Sequence, residues 1–227
     1  MRILAVDTSG EDGSVALVEG GLARGEVRLR PPVGHSVTLL PSIEFLLKAL
    51  GIAPLDVEGY AIALGPGSFT GVRVGLGTVQ GLALASGRPC LGLSNLDVLA
   101  ARIVGEADCL VAMVDAYRDE VWTRRYDREA RPLGPAVRQA PADALAGLPA
   151  SAALTGNGTV RYAALLAERA PEARVPARSP HLARTLGILA EPRLQAGEGV
   201  PPEALRPVYL RDADIRCLLY TSDAADE

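Results

Sequence analysis

The side chains that build most metal and redox centres are scarce here: the 227-residue chain has three cysteines and two histidines. Cys90, Cys109 and Cys217 form no C-x-x-C pair and are odd in number, so neither a zinc site nor a disulfide framework is indicated. His35 and His181 lie far apart, with no H-x-x-x-H or H-x-x-H pair, and a histidine metal site is not expected. Basic runs are short as well. The longest is Arg124-Arg125, the formal net charge is −4 and the isoelectric point is about 5.3. A protein that grips nucleic acid unaided carries a basic patch, so strong direct binding is not expected. No uncharged apolar run reaches about 18 residues, so no membrane span is expected. The opening MRILAVD lacks the pattern of a secretory leader. Together these absences indicate a reducing cytoplasm. Apolar residues make up 48%, enough for the core of one large domain or two small ones.

Periodicity supplies the organisation. Ile3–Val6, Val15–Val18 and the alternating Ala23–Leu29 read as three strands joined by Gly-rich turns. Ser36–Leu50 reads as a helix capped by Ser36 and stopped by Gly51, with Pro41 tolerable only near its first turn. A strand at Tyr60–Leu64, a helix at Thr70–Ser86, a strand at Cys90–Leu93 and a helix at Asn95–Val104 follow. The pattern then restarts, with strands at Leu110–Val114, Val121–Tyr126 and around Val137. After these come a helix at Asp143–Leu148, a strand at Ala152–Thr155 and a helix at Val160–Arg169. Leu4-Ala5-Val6-Asp7 and Ala112-Met113-Val114-Asp115 occupy equivalent places. The prediction is an α/β chain of duplicated βββαβα halves, the plan of the actin-like, Hsp70 and sugar-kinase fold. It comprises residues 1–105, then 106–216 with a helix at His181–Ala196 interrupted by Pro192 and a last extended segment at Arg206–Leu210. Residues 217–227 do not fit the rest and read as a non-native tail, like translated adapter sequence.

Two segments carry most of the chemical information. In Gly65-Pro66-Gly67-Ser68-Phe69-Thr70-Gly71, glycines relax the backbone ahead of a helix that Ser68 or Thr70 can cap. That is the construction of an anion-binding loop, and equally of a tight strand-to-helix turn; no G-K-[ST] follows. Asp7, Thr8 and Ser9 on one strand end, Asp115 on the other, and the turn Gly156-Asn157-Gly158 complete a candidate nucleotide or anion site with Gly65, Gly67, Ser68 and Thr70. The helix after the loop contains Gly71, Gly75, Gly77 and Gly81, which together cost about 4 kcal/mol of helix stability. Close packing on the protein's own sheet or docking against a partner helix would offset that cost. Leu39, Leu40, Ile43, Leu46, Leu47 and Leu50 on the preceding helix spread too widely for one narrow face. The candidate partner face is therefore Leu39, Leu40, Ile43, Leu46 and Leu47 with Gly71, Gly75, Thr78, Gly81, Leu82 and Ala85.

The strings MRILAVDTS, GPGSFTGVRVGLGTVQGLAL, VDAYRDEVW and RPVYLRD resemble the bacterial TsaB (YeaZ) family, over nearly the whole chain to about Ile215. The resemblance implies an actin-like fold and a cytoplasmic role in forming N6-threonylcarbamoyladenosine beside the anticodon of tRNAs reading ANN codons. It implies a TsaD-type catalytic partner, a TsaE-type ATPase, or a second copy in homodimers, with the helices flanking the Gly-rich loop as the shared face. TsaD-type proteins carry an H-x-x-x-H pair where this chain has Asn95 and Leu99. Leucine cannot ligate a metal, so the resemblance implies a scaffold subunit with no catalytic residues and no metal of its own. ATP or ADP is then placed at the complex interface, and tRNA contact runs through the complex. The competing reading is an independent ATP-dependent small-molecule kinase of the same fold. A protease-like activity has no Ser–His–Asp arrangement behind it.

Overall fold

The computed structural model describes residues 1–32, 34–176 and 181–208. Strands β1 (Ile3–Asp7), β2 (Gly13–Glu19) and β3 (Leu22–Leu29) form an antiparallel meander. Helix α1 (His35–Ala49) leads to β4 (Gly59–Ala63), which pairs parallel to β1. Helix α2 (Phe69–Ser86) leads to β5 (Cys90–Leu93), parallel to β4, and α3 (Asn95–Ala101) follows. The sheet order is β3-β2-β1-β4-β5.

The second half repeats the plan. Strands β6 (Leu110–Tyr117), β7 (Glu120–Tyr126) and β8 (Val137–Gln139) form a meander, α4 (Pro141–Leu145) follows, and β9 (Ala153–Thr155) pairs parallel to β6. The order β8-β7-β6-β9 matches the first four strands of the other sheet. Helices α5 (Asn157–Arg161) and α6 (Ala163–Arg169) succeed β9, and α7 (Ala183–Gln195) returns to pack on β1 and β2.

Alternation along the central strands explains the layering. In β1, Ile3 and Ala5 face one core, while Leu4 and Val6 face another beneath α1 and α2. In β6, Leu110, Ala112 and Val114 join the core that holds Ile3 and Ala5, while Val111 and Met113 face a third, smaller core. Both sheets are covered on both faces, as parallel strands require. Helices α3 and α7 lie in the shared middle layer, contributing Leu96, Leu99, Leu186 and Leu194.

Several boundaries differ from expectation. Ser36 is not a cap; Gly34 precedes α1 and supplies no side-chain bond. Pro41 lies beyond the first turn of α1, and Pro192 does not end α7. Each proline removes one backbone bond, and buried neighbours on the same helix, Leu39 and Ile43 or Ala190 and Leu194, hold it together. The helix expected from Val160 starts at Asn157 and breaks at Tyr162 into α5 and α6. Residues 206–208 form no strand; positions 209–210 of that expected segment, the YLRD string and the 217–227 tail lie outside the described residues.

Candidate functional site

The ends of β1 and β6 face each other across a cleft of about 700 Å³. Crevices at the carboxyl ends of parallel strands are where open α/β sheets bind ligands. Asp7 and Asp115, equivalent in the duplication, both line it, as do Ser9, Gly67, Ser68 and Asn157. Six of the eleven predicted nucleotide or anion residues are thus brought together.

The other five are used elsewhere. Thr8 turns towards α2, its Oγ1 donating to the Gly71 carbonyl at 2.7 Å. Gly65 has φ +100° and its N–H donates to Asn95 Oδ1 at 3.1 Å. Thr70 lies exposed in the first turn of α2 and does not cap it; Ser68 does, its Oγ accepting from the Gly71 N–H at 3.2 Å. Gly156 and Gly158 lie against the Met113 backbone, where a Cβ would collide.

Part of the Gly65–Gly71 loop's donor capacity is spent inside the chain. The Gly65 N–H is spent on Asn95, and the Ser68 N–H donates to the Ser9 carbonyl at 2.7 Å. The Ser9 N–H donates to Asp7 Oδ1 at 3.0 Å and the Gly71 N–H to Ser68. Three of the loop's donors are thus used internally, on Asn95, on Ser9 and on Ser68. The tight-turn reading accounts for these groups without a ligand.

Asn95 is the residue that closes this arrangement. Its Nδ2 donates to Ser9 Oγ at 2.6 Å and to the Pro66 carbonyl at 3.0 Å while its Oδ1 accepts from Gly65. Ser9 Oγ donates to Asp7 Oδ1 at 2.6 Å. The chain Asn95–Ser9–Asp7 leaves the serine hydroxyl bonded to an amide and a carboxyl, with no imidazole bonded to it; His35 Nε2 instead meets the Gly10 carbonyl at 2.8 Å. Burial pushes the Asp7 carboxyl above the usual carboxylate range, opposed by the Ser9 bonds and more weakly by His35 and His181. Opposite, Asp115 accepts from the Tyr117 N–H at 3.2 Å and pairs with Arg161 Nε at 3.5 Å. Asn157 Oδ1 takes the Asp115 N–H at 3.0 Å. Among the described residues, no group of three His, Cys, Asp or Glu side chains could hold a metal ion.

The sequence-based reading missed Arg161 and Tyr117 as cleft residues. Arg161 had a signal, since it lies one helical turn after Asn157 and shares its face. Tyr117, in a left-handed backbone conformation (φ 60°), had none.

The candidate partner face also divides. Leu39, Ile43, Leu46 and Leu47 are buried in this chain's own core and present no surface to a partner, a correction to their expected role. They occupy the inner side of α1, packed over β2 and β3. Gly71 and Gly75 are likewise internal: a Cβ at either would collide with Thr8, so these glycines let α2 lie close on β1. Leu40, Gly81 and Ala85 are exposed, and Thr78 and Leu82 are half-buried. Around them the structure adds Val37 and Phe45 on α1, and Gly77 and Leu84 on α2, all exposed. A Cβ at Gly77 or Gly81 would meet nothing.

The family model described as "tRNA N6-adenosine threonylcarbamoyltransferase", TsaD, matches residues 33–215. The structure of YeaZ from Pseudomonas aeruginosa is 38% identical, with a TM-score of 0.78 over 92% of this chain and 99% of that one. The chain belongs to the threonylcarbamoyltransferase family, in its YeaZ (TsaB) branch. The tRNA threonylcarbamoyladenosine biosynthesis protein TsaB of Escherichia coli is 40% identical over 131 residues, and that alignment spans 57% of this chain and 56% of the relative. The chain thus spans just over half the length of that curated relative. The activator of 2-hydroxyisocaproyl-CoA dehydratase from Clostridium difficile, solved with bound ADPNP, is 11% identical with a TM-score of 0.53. That likeness concerns the fold alone. The chain therefore has the actin-like, Hsp70 and sugar-kinase fold.

Proposed function

We propose that this chain is a non-catalytic scaffold subunit in the formation of N6-threonylcarbamoyladenosine in tRNA, working in the cytoplasm. It docks a TsaD-type catalytic subunit, with a TsaE-type ATPase joining the assembly. The carrying observation is the outer surface of α1 and α2. Leu40 is 54% exposed, Phe45 65% and Leu84 73%, beside Gly77, Gly81 and Ala85, where nothing stands out from the helix. Large apolar groups beside a flat backbone strip suit a close helix–helix contact. Exposed apolar residues on two adjoining helices suit an interaction surface. Membership of the YeaZ branch supports the choice of partner, and the relative named above carries a threonylcarbamoyladenosine name rather than a kinase one. ATP or ADP belongs to the complex interface in this reading, and a second copy of the chain is the competing occupant of the same surface.

The test is reconstitution with TsaC-, TsaD- and TsaE-type proteins, tRNA, threonine, bicarbonate and ATP, with and without this chain. The modified nucleoside is read by mass spectrometry of digested tRNA. Product that requires this chain, and is lost when Gly81→Trp blocks the surface, supports the scaffold role. Product that forms equally well without the chain refutes it.

A further inference from the structure

The glycine strip on the outer side of α2 begins at an aromatic. Phe69, Arg73, Gly77 and Gly81 recur every four residues and so share one helix face. All four are exposed. Phe69 is 50% exposed, and the Arg73 guanidinium lies 3.7 Å from its ring centroid, one helical turn away. The loop leading into this end of α2 is held by polar groups, since residues 65–68 belong to none of the three apolar cores. Asn95, the first residue of α3, brackets Gly65. Its backbone N–H donates to the Gly65 carbonyl at 2.8 Å, and its Oδ1 accepts from the Gly65 N–H at 3.1 Å. Its Nδ2 donates to the Pro66 carbonyl at 3.0 Å and to Ser9 Oγ at 2.6 Å. The Ser9 carbonyl in turn accepts from the Ser68 N–H at 2.7 Å, directly before Phe69. One acceptor and two donors in this arrangement are what an asparagine amide has. An aspartate offers the Pro66 carbonyl no donor, and a leucine offers neither donor nor acceptor.

We infer that Phe69 is an aromatic anchor of the docking surface on α1 and α2, and that Asn95 is the residue that positions it. The inference rests on the scaffold reading above, and the occupant is the same TsaD-type catalytic subunit. An aromatic ring contributes large contact area with few rotatable bonds, and groups already fixed before association carry most of the affinity of an interface. Phe69 stands at the head of the row that runs through Gly77 to Gly81, so a helix laid along the glycines meets the ring at its end. The ring follows the cap residue Ser68 directly, so any shift of the 65–68 loop is a shift of the ring. Asn95 reaches that loop from α3, whose Leu96 and Leu99 lie in the core shared by both halves. The anchor is thereby tied to the middle layer of the molecule. Asn95 itself is 2% exposed and presents no surface to a partner, so its effect on docking passes through Phe69.

The test is calorimetric titration of the full chain with the TsaD-type catalytic subunit, beside the melting temperature of each variant. Phe69→Ala is expected to weaken association about tenfold or more and to leave the melting temperature within about 2 °C of wild type. Asn95→Asp is expected to lower the melting temperature and also to weaken association about fivefold, measured where the variant is fully folded. If Asn95 acts through Phe69, the double variant binds no more weakly than Phe69→Ala alone. Association that Gly81→Trp abolishes and Phe69→Ala leaves unchanged overturns the anchor while the scaffold reading stands. Additive losses in the double variant, or unchanged association of Asn95→Asp, overturn the positioning role. A wild-type chain that does not associate at all overturns both readings. Should Asn95→Asp fail to fold, hydrogen exchange of the wild-type chain decides. The Gly65 and Ser68 amides are expected to exchange as slowly as those of β1, and exchange at the rate of an exposed turn overturns the role of Asn95.

Discussion

Asp7 shows how one side chain can be placed against its own stability. Its carboxyl is buried at the end of β1, and burial raises its pKa above the unfolded value. A raised carboxyl pKa means the folded state binds the proton more tightly, so the charged form weakens the fold at neutral pH and the penalty fades as pH falls through the folded pKa. Asp7→Asn keeps an oxygen acceptor for Ser9 and removes the charge. The expected result is a higher melting temperature than wild type at pH 7–8, with the gap closing towards pH 4, measured by thermal unfolding across pH. Glu191 is the opposite case. Burial would raise its pKa, but the Gly21 and Gly20 N–H groups at 2.6 and 2.8 Å, with the Met1 amine at 3.0 Å, bring it below the ordinary value. Its contribution is full above the unfolded pKa and is lost as pH falls through the lower folded pKa. Glu191→Ala leaves those donors without an acceptor and is expected to cost about 2–4 kcal/mol at pH 7 by urea unfolding, and less in acid.

At the scale of the element, α2 has two kinds of glycine. Gly71 and Gly75 face Thr8, where any side chain displaces β1, so Gly75→Leu is expected to abolish folding or to cost more than about 4 kcal/mol. Gly77 and Gly81 face open space and carry only the helix penalty. Gly77→Ala and Gly81→Ala should therefore each stabilise the isolated chain by about 1 kcal/mol. On the proposed docking reading, the same two variants weaken association with the catalytic subunit. Stability gained together with binding lost, seen by calorimetry on the same samples, is what an interface glycine produces. Unchanged binding would place the interface elsewhere.

Across the whole molecule, the two sheets share one core through α3 and α7. Leu186 on α7 is fully buried there, in the same cluster as Trp122 on β7. The halves should unfold together. Leu186→Ala is expected to cost about 2–5 kcal/mol and to shift the Trp122 fluorescence transition as far as the far-UV circular dichroism transition. Transitions that separate would mean that the halves melt independently. Tyr126, whose hydroxyl donates to Asp97 at 2.7 Å, ties α3 to β7 in the same layer. Burial followed by that acidic neighbour raises the phenol pKa well beyond its ordinary value, so Tyr126 stays neutral at physiological pH.

The order of strands and helices was legible in the amino-acid sequence because each half buries alternating residues on both faces of its central strand, and the repeated Leu-Ala-Val-Asp and Ala-Met-Val-Asp strings place Asp7 and Asp115 at matching ends. The turn at Gly65–Gly71 was legible, and its cap narrowed to Ser68 or Thr70, for the same local reason: backbone geometry and capping depend on neighbours in the chain. Which leucines of α1 and which glycines of α2 face inwards was not, because both helices are apolar around much of their circumference and local pattern does not choose a side. Only the packing of α1 over β2 and β3, and of α2 against Thr8, separates Leu39 from Leu40 and Gly75 from Gly81. The loop shows the same division: its sequence supplies free N–H groups, and Ser9 and Asn95, distant in the chain, arrive to take those of Ser68 and Gly65. Local order was written in the sequence by periodicity and turn chemistry; the use of each surface was decided by residues that meet only in the folded molecule.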